Sequence, residues 1–143
     1  MSGPALASAL EARGGLIALR AVLPDDEWRL REALTSWADG GQVDVILTTG
    51  GTGLGARDVT PEATRAILDR EVPGIAETMR LAGLRKTPHA MLSRALAGVR
   101  GVVLIINLPG SPDGAVESLS AVQHALEHAV QVLTSDPGAE ASH

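Results

Sequence analysis

The segment Thr48-Thr49-Gly50-Gly51-Thr52-Gly53-Leu54-Gly55 is the part of the sequence best suited to chemistry. Glycines at this density allow positive φ and close backbone approach, so consecutive amide N–H groups can be aimed at an anion. The same residues also suit a turn that only redirects the chain. No Gly-Lys-Ser/Thr follows, which removes a Walker A loop. Gly51 to Ala56 fits the dinucleotide pattern G-x-G-x-x-A. In that motif, however, the helix opens among the glycines, whereas Thr60-Pro61 delays it here, and the acids near the required spacing, Asp69 and Glu71, are expected within a helix.

Two carboxylates flank this segment at the level of the sequence. Asp58 stands beside Arg57, between the glycines and the Thr60 helix start, and Asp25 follows Pro24 where another helix begins. Each suits a helix N-terminal charge, and Asp58 also suits a surface pair with Arg57. Together, beside a phosphate-cradling loop, they suit Mg²⁺, which takes a few hard oxygens and completes its octahedron with water and substrate phosphate. Leu108-Pro109-Gly110-Ser111-Pro112 offers a second set of amides, with Ser111 near a helix start. His124 and His128, spaced i, i+4, admit a metal pair or a solvated helix face. His89 and Ser93 admit a loop and its cap, or an acid–base histidine.

The elements that must position these groups alternate. Helices are expected over Pro4 to Arg13, Trp28 to Ala38 (with Leu30, Leu34 and Trp37 on one stripe), from Thr60 with Thr as cap and Pro61 next, from Pro73 to about Gly83, and from Gly114 to Leu133. Strands are expected over Leu16 to Leu23, Val43 to Thr49 and Val102 to Asn107. Thr87 to Arg94 reads as a short helix or loop. Nearly continuous apolar strands alternating with helices imply an α/β fold with a mostly parallel central sheet covered on both faces, a three-layer α/β/α domain. Ligands bind such sheets at the carboxyl ends of the strands. Pro24-Asp25, Thr48 to Asp58 and Leu108 to Pro112 are expected there. The domain is expected to span residues 1–134, with a flexible tail over 135–143.

Composition narrows the classes. The 143 residues carry a formal charge of −5, with 45% hydrophobic and 20% charged side chains, which provides for a buried core. Cysteine is absent, which excludes disulfides, thiolate nucleophiles and cysteine-ligated metals. Dispersed basic residues argue against nucleic acid as a partner, and two Trp with no Tyr or Phe leave no stacking platform for single strands. No apolar run reaches membrane-spanning length and no secretory leader is evident, so a cytoplasmic location is expected.

The chained motifs Thr48 to Gly53, Arg57-Asp58-Val59-Thr60-Pro61-Glu62-Ala63-Thr64 and Leu108 to Pro112, with Pro24-Asp25, Glu71-Val72-Pro73-Gly74 and Leu92-Ser93-Arg94, resemble the MogA/MoaB family of molybdenum-cofactor biosynthesis. The resemblance runs from about Ser2 to Leu133. It implies a molybdopterin-binding fold, a homotrimer, and Mg²⁺-dependent adenylylation of molybdopterin by ATP with release of pyrophosphate, ahead of a molybdate-insertion protein. It further implies that Asp25 and Asp58 are catalytic and metal-binding, and that Thr48, Thr49, Gly50, Gly51, Thr52, Gly53, Ser93, Pro109, Gly110 and Ser111 bind substrate. The family's alternative activity is non-catalytic molybdopterin binding by an oligomer, and a general nucleotide-binding module is a third reading. The family normally opens with a further strand ending in a Ser-Asp loop, and the resemblance implies a sheet without it here.

Overall fold

The computed structural model describes residues 21–135, together with Ser8 and Glu11. Ser8 and Glu11, within the expected first helix, are both helical; the rest of that helix, Leu16 to Arg20 of the expected first strand, and residues 136–143 lie outside the described residues. Residues 21–23, the end of that expected strand, are not in a strand, and Val22 is fully exposed.

Helix α1 (Glu27–Asp39) starts where Asp26 caps it, its carboxylate accepting from the Arg29 N–H at 3.1 Å. Strand β1 (Val45–Thr49) follows, then α2 (Thr60–Ile67), a two-residue strand β2 (Arg70–Glu71), α3 (Pro73–Leu84) and a 3₁₀ turn (Pro88–Leu92). Strands β3 (Ala97–Arg100) and β4 (Val103–Leu108) form a hairpin, and α4 (Pro112–Thr134) closes the described chain.

The sheet order is β1-β4-β3-β2. β1 and β4 are parallel neighbours, with Thr49 opposite Leu108; β3 runs antiparallel to β4 and β2 antiparallel to β3. Three of the four described strands therefore share one direction, consistent with the expected mostly parallel sheet.

β4 shows why the fold has three layers. All six of its residues are buried, and alternation sends Val103 and Ile105 to one face and Leu104, Ile106 and Leu108 to the other. The first set packs with Leu34, Ala38 and Ile67 of α1 and α2. The second packs with Ile75, Met79, Leu119, Val122 and Leu126 of α3 and α4.

Several expectations change. Thr60 is not a cap: α2 starts at Thr60, Val59 holds the cap position without a side-chain bond, and the Thr60 N–H donates to the Gly51 carbonyl at 3.2 Å. The glycine loop itself thus closes this helix end. Asp69 and Glu71 lie in a turn and in β2, not in a helix. β3 was not expected, because Ala97 and Gly98 are poor strand formers. Gly98 is required there: a Cβ would collide with the Arg70 carbonyl and the Leu68 side chain.

Candidate functional site

The parallel pairing of β1 with β4 puts the loop after Thr49 beside the loop after Leu108. The Gly50 N–H donates to the Leu108 carbonyl at 2.9 Å, and a Cβ added to Gly110 would stand 3.3 Å from the Gly50 Cα. Gly50 and Gly51 have φ of 85° and 70°, a region that L side chains rarely adopt, and a Cβ on Gly51 would strike the Thr60 hydroxyl. Both glycines are therefore dictated by the backbone path.

With Gly50 engaged, the N–H groups of Gly51, Thr52, Gly53, Gly110 and Ser111 donate to no acceptor among the described residues. Ser111 caps α4, its Oγ accepting from the Gly114 N–H at 3.1 Å. Five unspent backbone donors on two touching loops, one of them at a helix N-terminus, form a surface suited to anionic oxygen.

A cavity of about 330 Å³ opens against this surface, bounded by α3, the 3₁₀ turn and the first turns of α4. Thr52, Gly53, Ser93, Pro109, Gly110 and Ser111 line it, and so does His89. The remaining expected binding residues, Thr48, Thr49, Gly50 and Gly51, are not part of this lining. Thr48 uses its hydroxyl to accept from Asn107 Nδ2 at 2.9 Å. Lys86 and Glu117, also in the lining, form an ion pair linking the chain after α3 to α4.

Asp58 serves the glycine loop first. Its Oδ2 accepts from the Gly55 N–H at 2.9 Å, and both Gly53 and Gly55 are packed so closely on it that a Cβ at either would meet that oxygen at about 3 Å. No ion pair joins it to Arg57 among the described residues. Asp25 is exposed on the turn before α1, where Asp26 supplies the cap. His124 and His128 lie on an exposed part of α4, and the described residues contain no group of three or more His, Cys, Asp or Glu that could hold a metal ion.

Three polar residues that sequence spacing did not single out organise the site. Arg94 sends its backbone N–H to the Thr52 carbonyl (2.8 Å), Nε to the Gly53 carbonyl (2.7 Å), Nη2 to the Asp58 carbonyl (2.6 Å), and Nη1 to the Glu62 carboxylate. The Arg94 hydrogen bond holds the Glu62 carboxyl below its usual range, and Glu62 in turn raises Arg94. Asn107, fully buried, donates from Nδ2 to Thr48 Oγ1 and Thr64 Oγ1 (3.0 Å), and accepts from the Leu96 N–H at 3.2 Å. Its one available signal was a polar side chain within an otherwise apolar strand. Arg94 and Glu62 are 32 positions apart and left no spacing to read.

Fold and site together define an α/β domain with a donor-lined ligand cavity at the carboxyl ends of parallel strands. The chain belongs to the family described as "Probable molybdopterin binding domain", whose profile matches residues 1–128. It is 42% identical over 115 residues to the molybdenum cofactor synthesis protein cinnamon of Drosophila melanogaster, covering 80% of this chain and 19% of that protein. It is 41% identical over 112 residues to a molybdopterin adenylyltransferase of Helicobacter pylori strain J99, covering 78% of this chain and 64% of the relative. The chain thus spans less than two thirds of either curated relative. Among solved structures, the molybdopterin biosynthesis enzyme MoaB of Thermus thermophilus superposes with a TM-score of 0.87 at 54% identity, over 95% of this chain and 86% of that one.

Proposed function

We propose that this protein adenylylates molybdopterin. A terminal phosphate oxygen of molybdopterin attacks the α-phosphorus of ATP, the bond from that phosphorus to the bridging β-oxygen breaks, and pyrophosphate leaves. The observation that carries this reading is the set of unspent N–H donors on the two touching loops, of which those of Thr52, Gly53, Gly110 and Ser111 belong to residues lining the cavity. Its support from kinship is the adenylyltransferase name borne by relatives at 41% and 43% identity.

The chemistry suits the residues at hand. A phosphate monoester has a second pKa of about 6, so the nucleophile is largely ionised at neutral pH and needs no protein base. Positioning and charge stabilisation then do most of the catalysis, as in phosphoryl transfer generally. The loop donors bind phosphate oxygen. Mg²⁺ is expected to arrive on the triphosphate rather than in a resident site, because the described residues hold no three-ligand cluster. Asp58, with Oδ1 left over, and the exposed Asp25 would hold it with hard oxygens, and it would supply neutralisation of triphosphate charge.

The test is pyrophosphate release by the purified chain with MgATP and molybdopterin. Release that requires both substrates is expected. Molybdopterin binding without release would instead make this a non-catalytic binding protein, a reading favoured by the family's description, which names binding alone. Tight ATP binding with no affinity for the pterin would make it a nucleotide-binding module. A homotrimer in the cytoplasm, handing its product to a molybdate-insertion protein, completes the proposal. Sedimentation at micromolar concentration tests the trimer, and a monomer there would count against it.

A further inference from the structure

We infer that Arg94 is a positioning residue, latching the glycine loop to the first turn of α2 and so holding Asp58 and the loop donors in their working arrangement. One side chain and its own backbone N–H engage Thr52, Gly53, Asp58 and Glu62. Three of the four acceptors belong to the loop, and the fourth, Glu62, sits on the helix that the loop itself closes through the Thr60 N–H. A loop of this kind would otherwise be loose. Gly51, Gly53 and Gly55 contribute no side chains, and fixing glycine backbone costs more conformational entropy than fixing any other residue.

The geometry requires a guanidinium. The planar fork sends Nε, Nη1 and Nη2 to separate acceptors, which a lysine ammonium on a flexible stem cannot reproduce. The latch is also independent of the ligand surface: it uses carbonyls and one carboxylate, and leaves the N–H groups of Gly51, Thr52 and Gly53 unspent. Pulling on the carbonyl side of each peptide sets the direction of the N–H on the other side, because the peptide unit is planar. The Arg94 backbone N–H, in holding the Thr52 carbonyl, therefore orients the Gly53 donor, and the guanidinium, in holding the Gly53 and Asp58 carbonyls, fixes the loop on either side of Gly55.

The kinetic consequence rests on the adenylyl-transfer reading, whereas the latch does not, and the measurements separate the two. The full chain is compared with Arg94→Gln, Arg94→Lys and Glu62→Gln by amide hydrogen exchange, thermal unfolding and pyrophosphate release with MgATP and molybdopterin. Exchange at Gly55, Asp58 and Thr60, whose amides are bonded within the loop and its junction with α2, should quicken about tenfold or more in Arg94→Gln, less in Arg94→Lys and Glu62→Gln, with β4 amides far less affected. kcat/KM should fall in the same order, and melting midpoints should not follow that order. Unchanged loop exchange in Arg94→Gln overturns the latch. Faster exchange with unaltered kinetics overturns the positioning role. If the unaltered chain releases no pyrophosphate, the adenylyl-transfer reading fails and the exchange data alone decide the latch. Should Arg94→Gln not fold, Glu62→Gln, altered on the solvent side of the latch, carries the same exchange test.

Discussion

At Asp58 the charge and the shape of one side chain can be separated. Its Oδ2 accepts from the Gly55 N–H and packs on two glycines, while on the proposed reading its charge helps to hold Mg²⁺. Asn retains an acceptor oxygen of the same reach and loses the charge. Asp58→Asn should therefore abolish pyrophosphate release, a fall of at least about 100-fold, while molybdopterin affinity and the melting midpoint stay close to those of the unaltered chain. Asp58→Ala removes the acceptor as well and should cost about 1 kcal/mol in stability besides. Calorimetric melting and a pyrophosphate assay on the two variants check both statements; turnover surviving in Asp58→Asn sinks the metal role. The carboxylate stood out in the sequence only in combination, beside a glycine loop and with Asp25, since alone it suits a helix N-terminal charge or a surface pair with Arg57 equally well. Its bond to Gly55 was not, because a short side chain returning to a nearby N–H depends on the φ/ψ of the residues between, which composition does not state.

The elements were legible where periodicity was strong and illegible where tertiary contacts overrode propensity. β1, β4 and the four described helices follow their apolar patterns, but β2 and β3 exist because the hairpin at Gly101, with φ of 60°, folds Ala97–Arg100 onto β4. Ion pairs then tie these elements together. Arg100 on β3 grips the Asp39 carboxylate at the end of α1 with Nε and Nη2, both at 3.0 Å, and donates to the Ile67 carbonyl at the end of α2. The hydrogen bond from Arg100 lowers the Asp39 carboxyl, as the one from Arg94 lowers Glu62. A folded-state value below the unfolded one means that the stabilisation is present above the unfolded pKa and is lost as pH falls through the folded one. Melting midpoints should therefore drop from about pH 4 downwards, and a charge-neutral Glu62→Gln should show a shallower acid limb than the unaltered chain. Both pairs are solvent-accessible, so the slope should weaken in high salt. An acid limb that is identical in Glu62→Gln would show that the pair contributes no proton linkage.

At the scale of the whole molecule, the question is whether the two faces of the sheet unfold together. Among the described residues their apolar sets form two separate clusters on either side of the strands, joined most directly in β4, whose residues alternate between them. Asn107 also works at this junction, tying β4 to Thr48 of β1, to Thr64 of α2 and to Leu96 before β3 with both amide donors and its oxygen engaged inside the core. Such shared strands and a satisfied buried polar centre should make the layers one cooperative unit. The distribution of tryptophan allows a clean test. The chain has two, Trp28 and Trp37, and both lie on α1, so tryptophan fluorescence reports the face built from α1 and α2, whereas far-ultraviolet circular dichroism reports every helix. Leu104 is 1% exposed and packs on the opposite face, among the side chains of α3 and α4. Leu104→Ala should cost about 2 to 5 kcal/mol through lost transfer energy and the cavity it leaves. If the domain is one unit, that substitution should move the fluorescence midpoint in urea by as much as the dichroism midpoint, with unchanged slopes, although it touches nothing near either tryptophan. A dichroism midpoint that falls while fluorescence stays in place would mean that α3 and α4 can melt off an intact α1–sheet layer, and the cavity lined by α3, the 3₁₀ turn and α4 would then lose its walls while the glycine loop survived.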